Sequence, residues 1–288
     1  MRLFVHYLCI TFLLGLICIT TLQAQLVADS WRNTEMNGKG TVIITYVEAS
    51  SFVYKNEQEQ LAGICVDILK EFIKYVYQTK AVKLNIQVVK ENDDFNSFLT
   101  QVKSGRGGVL GLGPITMTNQ RKEEMYFTPP FLDNLSVLVT HSSMPTLSSL
   151  NDISGIFKGL KAYALKNSTQ EIELLEIKKK YFPALEIAYV DNADELISKV
   201  AEDPNAFTKI DYLFYIAAVK NGQTVKRHPI GDLRTKPLAF IMPYGCDWMP
   251  IWYEFMTGLE GFRNSTTYKK ILVKHLGPEV TRTLLKLR

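Results

Sequence analysis

Cysteine is scarce: four occur in 288 residues, and two of them, Cys9 and Cys18, fall in an apolar leader, leaving Cys65 and Cys246. Two isolated thiols cannot build a clustered-thiolate metal centre. They could pair in an oxidising compartment or stay as two buried free thiols, and the sequence leaves both open. Histidine is as sparse, at four, and there is no metal-ligand helix, no glycine-rich phosphate loop and no nucleophile-base-orienter set. No cofactor or metal is therefore expected. An excess of either charge is also missing: 33 Lys+Arg stand against 29 Asp+Glu, a net +4, with the signs interspersed. That balance implies neither nucleic acid nor a membrane surface as partner. Low-complexity segments and short repeats are absent too.

The one long hydrophobic run is at the start, MRLFVHYLCITFLLGLICITTLQA. Arg2, an apolar stretch to about Leu22 and Ala24 before Gln25 read as a secretory signal peptide over residues 1–24. The stretch is near membrane-spanning length, so an uncleaved anchor is the alternative. Lipid attachment at Cys18 would want small residues where Leu16 and Ile17 stand. An exported, periplasmic protein is expected, with enough chain beyond the leader for one large or two ordinary domains.

Beyond the leader, TVIITYV from Thr41 reads as a buried strand. After Gly63, Ile64, Ile68, Phe72 and Tyr75 recur at helical spacing. KLNIQVV from Lys83, a helix over Asp94 to Ser104 and an apolar strand at Val109 to Leu112 continue the alternation. The rhythm returns from Leu160: a strand to Leu165, a turn at Lys166 to Thr169, a helix from Gln170 to Tyr181 and a strand at Glu186 to Tyr189. A helix from Ala193 to Ala201 and an apolar strand at Tyr212 to Ile216 come next. Alternating strands and helices predict parallel α/β sheets, with ligands at the strands' carboxyl ends. Pro250 to Arg288 reads as mostly helical.

Three segments resemble a known family. FVYKNEQEQLAGICVDILKEF, with Asp67 at the acidic position, LGPITMTNQRKEEMYFTPPFLDN and EGFRNSTTYKKILVKHLGP are similar, in that order, to the extracellular solute-binding proteins of type 2, family 3, especially the polar amino-acid-binding group. The resemblance runs from about Thr41 to Pro278. It implies an α/β, two-lobed type 2 periplasmic binding protein fold, each lobe a mainly parallel sheet flanked by helices, joined by a two-strand hinge. Lobe 1 would be discontinuous, 41–135 plus 243–288, and lobe 2 would span 136–242. The chain would cross near Val137 to Thr140 and return near Ile241 to Tyr244.

By this resemblance Arg121 holds a ligand carboxylate, a role its planar fork of donors suits; the other reading is a solvated cation beside Lys122, Glu123 and Glu124. Thr116 adds a hydroxyl. Pro114, in place of the usual glycine, keeps its carbonyl but has no N–H. Asn167, Ser168 and Thr169 precede a helix and present an anion site at its N-terminus, or a plain N-cap. Phe52 and Phe95 match positions that sandwich the ligand's apolar part, although aromatics near strand ends also serve as core. The position of the ammonium-holding aspartate falls on Ile216, beside Tyr215, with Asp211 at the wrong end of the expected strand. Tyr46 likewise replaces a polar residue. A small anion without an amine is therefore a live option.

The implied function is extracytoplasmic capture of a small carboxylate-bearing ligand by a monomer, through lobe closure, for an ABC importer with its permease complex. The alternatives are a secreted dehydratase-like enzyme, for which Glu48 and His141 are the candidate acids, and a sensory module acting in trans. Sequons at Asn134, Asn167 and Asn264 read as coincidental.

Overall fold

The computed structural model describes residues 25–89, 92, 94–258 and 261–286, so the expected signal peptide lies outside the described residues. Among them no helix is long and apolar enough to cross a membrane. The first unit opens with α1 (Trp31–Asn37) and β1 (Lys39–Tyr46), followed by a small hairpin, β2 (Tyr54–Lys55) and β3 (Leu61–Ala62). Gly63 then starts α2 (Ile64–Lys80), whose Ile64, Ile68, Phe72 and Val76 form the buried stripe expected of an amphipathic helix on a sheet. The unit continues with β4 (Lys83–Val88), α3 (Phe95–Ser104), β5 (Val109–Thr116), the single-turn α4 (Asn119–Lys122) and β6 (Met125–Phe127).

The second unit runs through β7 (Leu135–His141), α5 (Ile153–Ile156), β8 (Lys161–Leu165), α6 (Thr169–Lys180) and β9 (Ile187–Val190). It ends with α7 (Ala193–Glu202), β10 (Ala206–Asp211), α8 (Tyr212–Lys220) and β11 (Val225–Arg234). The chain then returns through β12 (Leu238–Pro243) to α9 (Met249–Thr257), α10 (Thr266–Leu276) and α11 (Pro278–Leu285).

Two five-stranded sheets result, ordered β4-β1-β5-β12-β6 and β11-β7-β10-β8-β9. In each, one strand, β12 or β7, runs against the rest. Because β12 pairs with β5 from Leu238 onward, the chain re-enters the first sheet there, earlier than the expected Ile241 to Tyr244. The segment Tyr212 to Ile216, expected as a strand, is the start of α8, and the strand is β10, just upstream.

The first lobe's core is aromatic. Trp252 of α9 stacks on Phe72 of α2 at 3.7 Å between centroids, with Phe255 edge-on to both, each such ring contributing about 2–3 kcal/mol by burial. In the second lobe Phe157 packs against both Phe207 and His228; the histidine is fully buried and accepts from the Leu147 N–H at 2.9 Å. Burial pushes the His228 imidazole down to about 4. Cys65 and Cys246 are free thiols, and burial pushes both upward, Cys246 to about 11.

A single hydrophobic cluster runs through both lobes. Its bridge is Phe52, fully buried, against Phe214 of α8 at 5.8 Å. The two sheets thus present the carboxyl ends of β1, β5, β8 and β10 to one shared cleft, the location that α/β topology favours for ligands.

Candidate ligand-binding cleft

The first lobe's wall begins at the end of β5. Between Ala239 and Ile241 the β5–β12 register slips, so that β5 carries extra residues opposite Phe240. Gly113 and Pro114 occupy this irregularity and line the cleft. A proline lacks the N–H that a regular ladder needs and is tolerated in a bulge. Thr116 closes the strand. Thr118 then caps α4 by accepting from the Arg121 N–H at 3.2 Å, which fixes the arginine one turn above the strand end. Arg121 is buried despite its charge. Its Nη1 donates to the Thr116 carbonyl at 3.2 Å and its Nη2 to the Asn167 carbonyl at 3.0 Å, and its guanidinium lies 5.4 Å from the Phe95 ring. Burial pulls its pKa down to about 10, so it stays charged at neutral pH.

Phe95 is placed by the cap of α3. Asp94 accepts from the Asn96 and Ser97 backbone N–H groups at 2.7 and 2.9 Å and from the Ser97 hydroxyl at 2.7 Å. These bonds, led by the Ser97 hydroxyl, hold the Asp94 carboxyl below its usual range.

The second lobe contributes two elements. At the start of α6, Ser168 accepts from the Glu171 N–H at 3.0 Å, while Asn167 adopts a left-handed φ of 62°. At the carboxyl end of β10, buried Asp211 faces the cleft, and its Oδ1 accepts from Asn134 at 2.9 Å and from Gln170 at 2.6 Å. Burial, helped by nearby Glu173 and opposed by those two amides and by Arg121, pushes the Asp211 carboxyl up to about 6. Phe214 of α8 and Leu196 of α7 complete this wall. The enclosed space is about 70 Å³.

The lobes touch across the cleft at both rims. On one side Asn167 accepts from Arg121 and donates its side-chain amide to Asn96 Oδ1 at 2.8 Å. On the other, Ser50 gives its hydroxyl to Asp194 Oδ1 at 2.6 Å and its backbone N–H to Oδ2 at 3.2 Å. The described conformation is therefore a closed one.

Of the residues singled out from sequence, Arg121, Thr116, Pro114, Ser168, Thr169 and Phe95 come together around the cavity. Phe52, Tyr46 and Tyr215 do not line it. Phe52 is core behind the wall, and Tyr46, 2% exposed, points into the first lobe. Tyr215 sits on α8 near Tyr212, because that segment is a helix and turns its side chains away from the strand direction. The same correction overturns the assignment of Ile216: it is a helical residue outside the cavity, and the acidic residue at the strand end is Asp211. Glu48 lines the cleft, whereas His141 ends β7 away from it, bonded to Ser143. Gln170, Leu196 and Phe214 were not singled out, and Asp211 was set aside as lying at the wrong end of a strand; the available signal was an acidic residue closing a six-residue segment just before an apolar run of helical length.

The sequence matches the bacterial extracellular solute-binding proteins, family 3, over residues 42–278. Solved structures share the fold. An ancestral arginine-binding protein bound to arginine superposes with a TM-score of 0.65 at 21% identity, covering 82% of this chain and 98% of that one. The arginine-, lysine-, histidine-binding protein ArtJ of Geobacillus stearothermophilus gives 0.65 at 18% identity, over 84% and 98%. An ancestral amino-acid-binding protein, a precursor of cyclohexadienyl dehydratase, gives 0.64 at 18%, over 85% and 98%. No curated protein matches the sequence.

Proposed function

The chain belongs to the bacterial extracellular solute-binding proteins, family 3, and from that premise we propose that it captures a small amino acid by closing its lobes, for delivery to a membrane import complex of the ABC type. The observation that carries this reading is one buried cation, Arg121, and one buried anion, Asp211, lining the same cleft from different lobes. A ligand carboxylate suits the arginine's planar fork. The hydroxyls of Thr116, Ser168 and Thr169 and the amide-rich start of α6 favour the same negative end. A ligand ammonium would supply Asp211 with the counter-charge that its burial makes valuable.

Ligand would dock first on the wall that carries Arg121. Approach of the second lobe then expels water and strengthens each charged contact. Titration calorimetry against pooled L-amino acids, and separately against organic acids lacking an amine, tests this. Binding is expected for the amino acids, weakened at least about 30-fold by Arg121→Ala, since truncating one partner of a buried charge pair costs about 2 kcal/mol or more. Binding indifferent to that change, or none in either pool, would refute it.

A further inference from the structure

On the amino-acid reading, from which any side-chain preference derives, Arg121 and Asp211 take the two charged ends and the rest of the wall addresses the ligand's side chain. It is formed by Ala49 and Phe95 from the first lobe and by Leu165, Leu196, Ile210 and Phe214 from the second. Three further polar residues around the cavity have partners of their own. Gln170 donates to Asp211 at 2.6 Å. Asn192 caps α7 by accepting from the Glu195 N–H at 2.8 Å. Glu48, a further acid in the wall, accepts from the Lys55 backbone N–H at 3.4 Å on the hairpin side.

We infer that this cleft selects a neutral α-amino acid with a small apolar side chain, in the range from alanine to leucine, and rejects cationic and acidic ones. Two physical reasons support it. Closing Leu196 and Phe214 over an aliphatic group removes apolar surface from water on both partners. A second ligand charge would instead be buried against aliphatic and aromatic carbon, which is costly without a partner. The fold is shared with proteins whose structures contain arginine or bind arginine, lysine and histidine, so this difference resides in the wall's residues and not in the architecture.

Titration calorimetry of the purified protein at pH 7.5 with L-alanine, L-valine, L-leucine, L-lysine, L-arginine and L-glutamate provides the test. The best neutral ligand is expected to bind at least about 100-fold tighter than any charged one. Preferred binding of L-lysine or L-arginine, lost in Glu48→Gln but still dependent on Arg121, would overturn the inference and leave the amino-acid reading standing. Absence of binding to every amino acid would overturn both.

Discussion

Asp211 is where the demands of folding and of the proposed ligand binding diverge. Its carboxyl is fully within the protein and its pKa is raised to about 6. A folded-state pKa above the unfolded value means that the native state holds the proton more tightly, so ionisation opposes folding above pH 6 and acidification toward pH 4 relieves the strain. A shift of about two units corresponds to roughly 3 kcal/mol at neutral pH. Asp211→Asn keeps an oxygen for Asn134 and Gln170 while discarding the charge. The variant is expected to melt above the wild type at pH 7.5, with the gap narrowing at pH 5, and to lose amino-acid binding; a gap that does not shrink on acidification would show that the carboxylate is not the strained group. On the amino-acid reading the proton competes with a ligand ammonium at Asp211, so affinity should fall as pH drops below about 6. Such a cost at a site matches the general trade-off between stability and function. Arg121 was legible in the sequence because its motif neighbours, Thr116 and Thr118, fix it locally. Asp211 was not, because its environment is assembled from Asn134 and Gln170, distant in the chain.

At the scale of elements, Gly63 joins the hairpin to α2. Its φ is +117°, and a Cβ there would lie 2.3 Å from the Phe52 carbonyl oxygen. Gly38, which ends α1 at φ +64°, has open space around the same position. Gly63→Ala should therefore cost well over about 2 kcal/mol, through backbone strain plus a clash that must move the segment holding Phe52, whereas Gly38→Ala should cost about 1 kcal/mol. Urea unfolding midpoints at unchanged m-value read the difference; equal losses would show that the hairpin yields without penalty. In the first unit β1, α2, β4, α3 and β5 were readable because their apolar residues keep strict spacing, whereas α1, the β2–β3 hairpin, α4 and β6 are too short or too polar to show a period. The second unit misled at β10 and α8. Strand β10 buries Thr208, Lys209 and Asp211, and its lysine is tolerable because Glu173 of α6 meets it at 3.0 Å and the Gly231 carbonyl accepts from it, partners that strand pattern alone cannot reveal. Helix α8, YLFYIAAVK, is apolar on most sides, so it lacks the 3.6-residue period and reads as a short buried strand.

For the whole molecule, the balance between open and closed lobes sets affinity as much as the cleft does. A ligand's apparent affinity falls with the fraction of protein able to close. The Ser50–Asp194 contact joins the lobes without lining the cavity, so it acts on that fraction alone. Asp194 is half-buried, and desolvation raises its carboxyl, with the Ser50 bonds opposing the rise. Removing the hydroxyl leaves the carboxylate with one fewer donor in the closed form and costs little in the open one, where water replaces it. At about 1 kcal/mol for a hydrogen bond to a partly desolvated charge, Ser50→Ala should weaken ligand binding roughly five-fold. Because no ligand contact changes, the order of preference among amino acids should be preserved and the saturated variant should give the wild-type radius of gyration in small-angle scattering. A Kd equal to that of the wild type would mean that this rim contact does not stabilise closure, leaving the buried Phe52–Phe214 bridge and the Asn167 contacts with Arg121 and Asn96 to hold the lobes together.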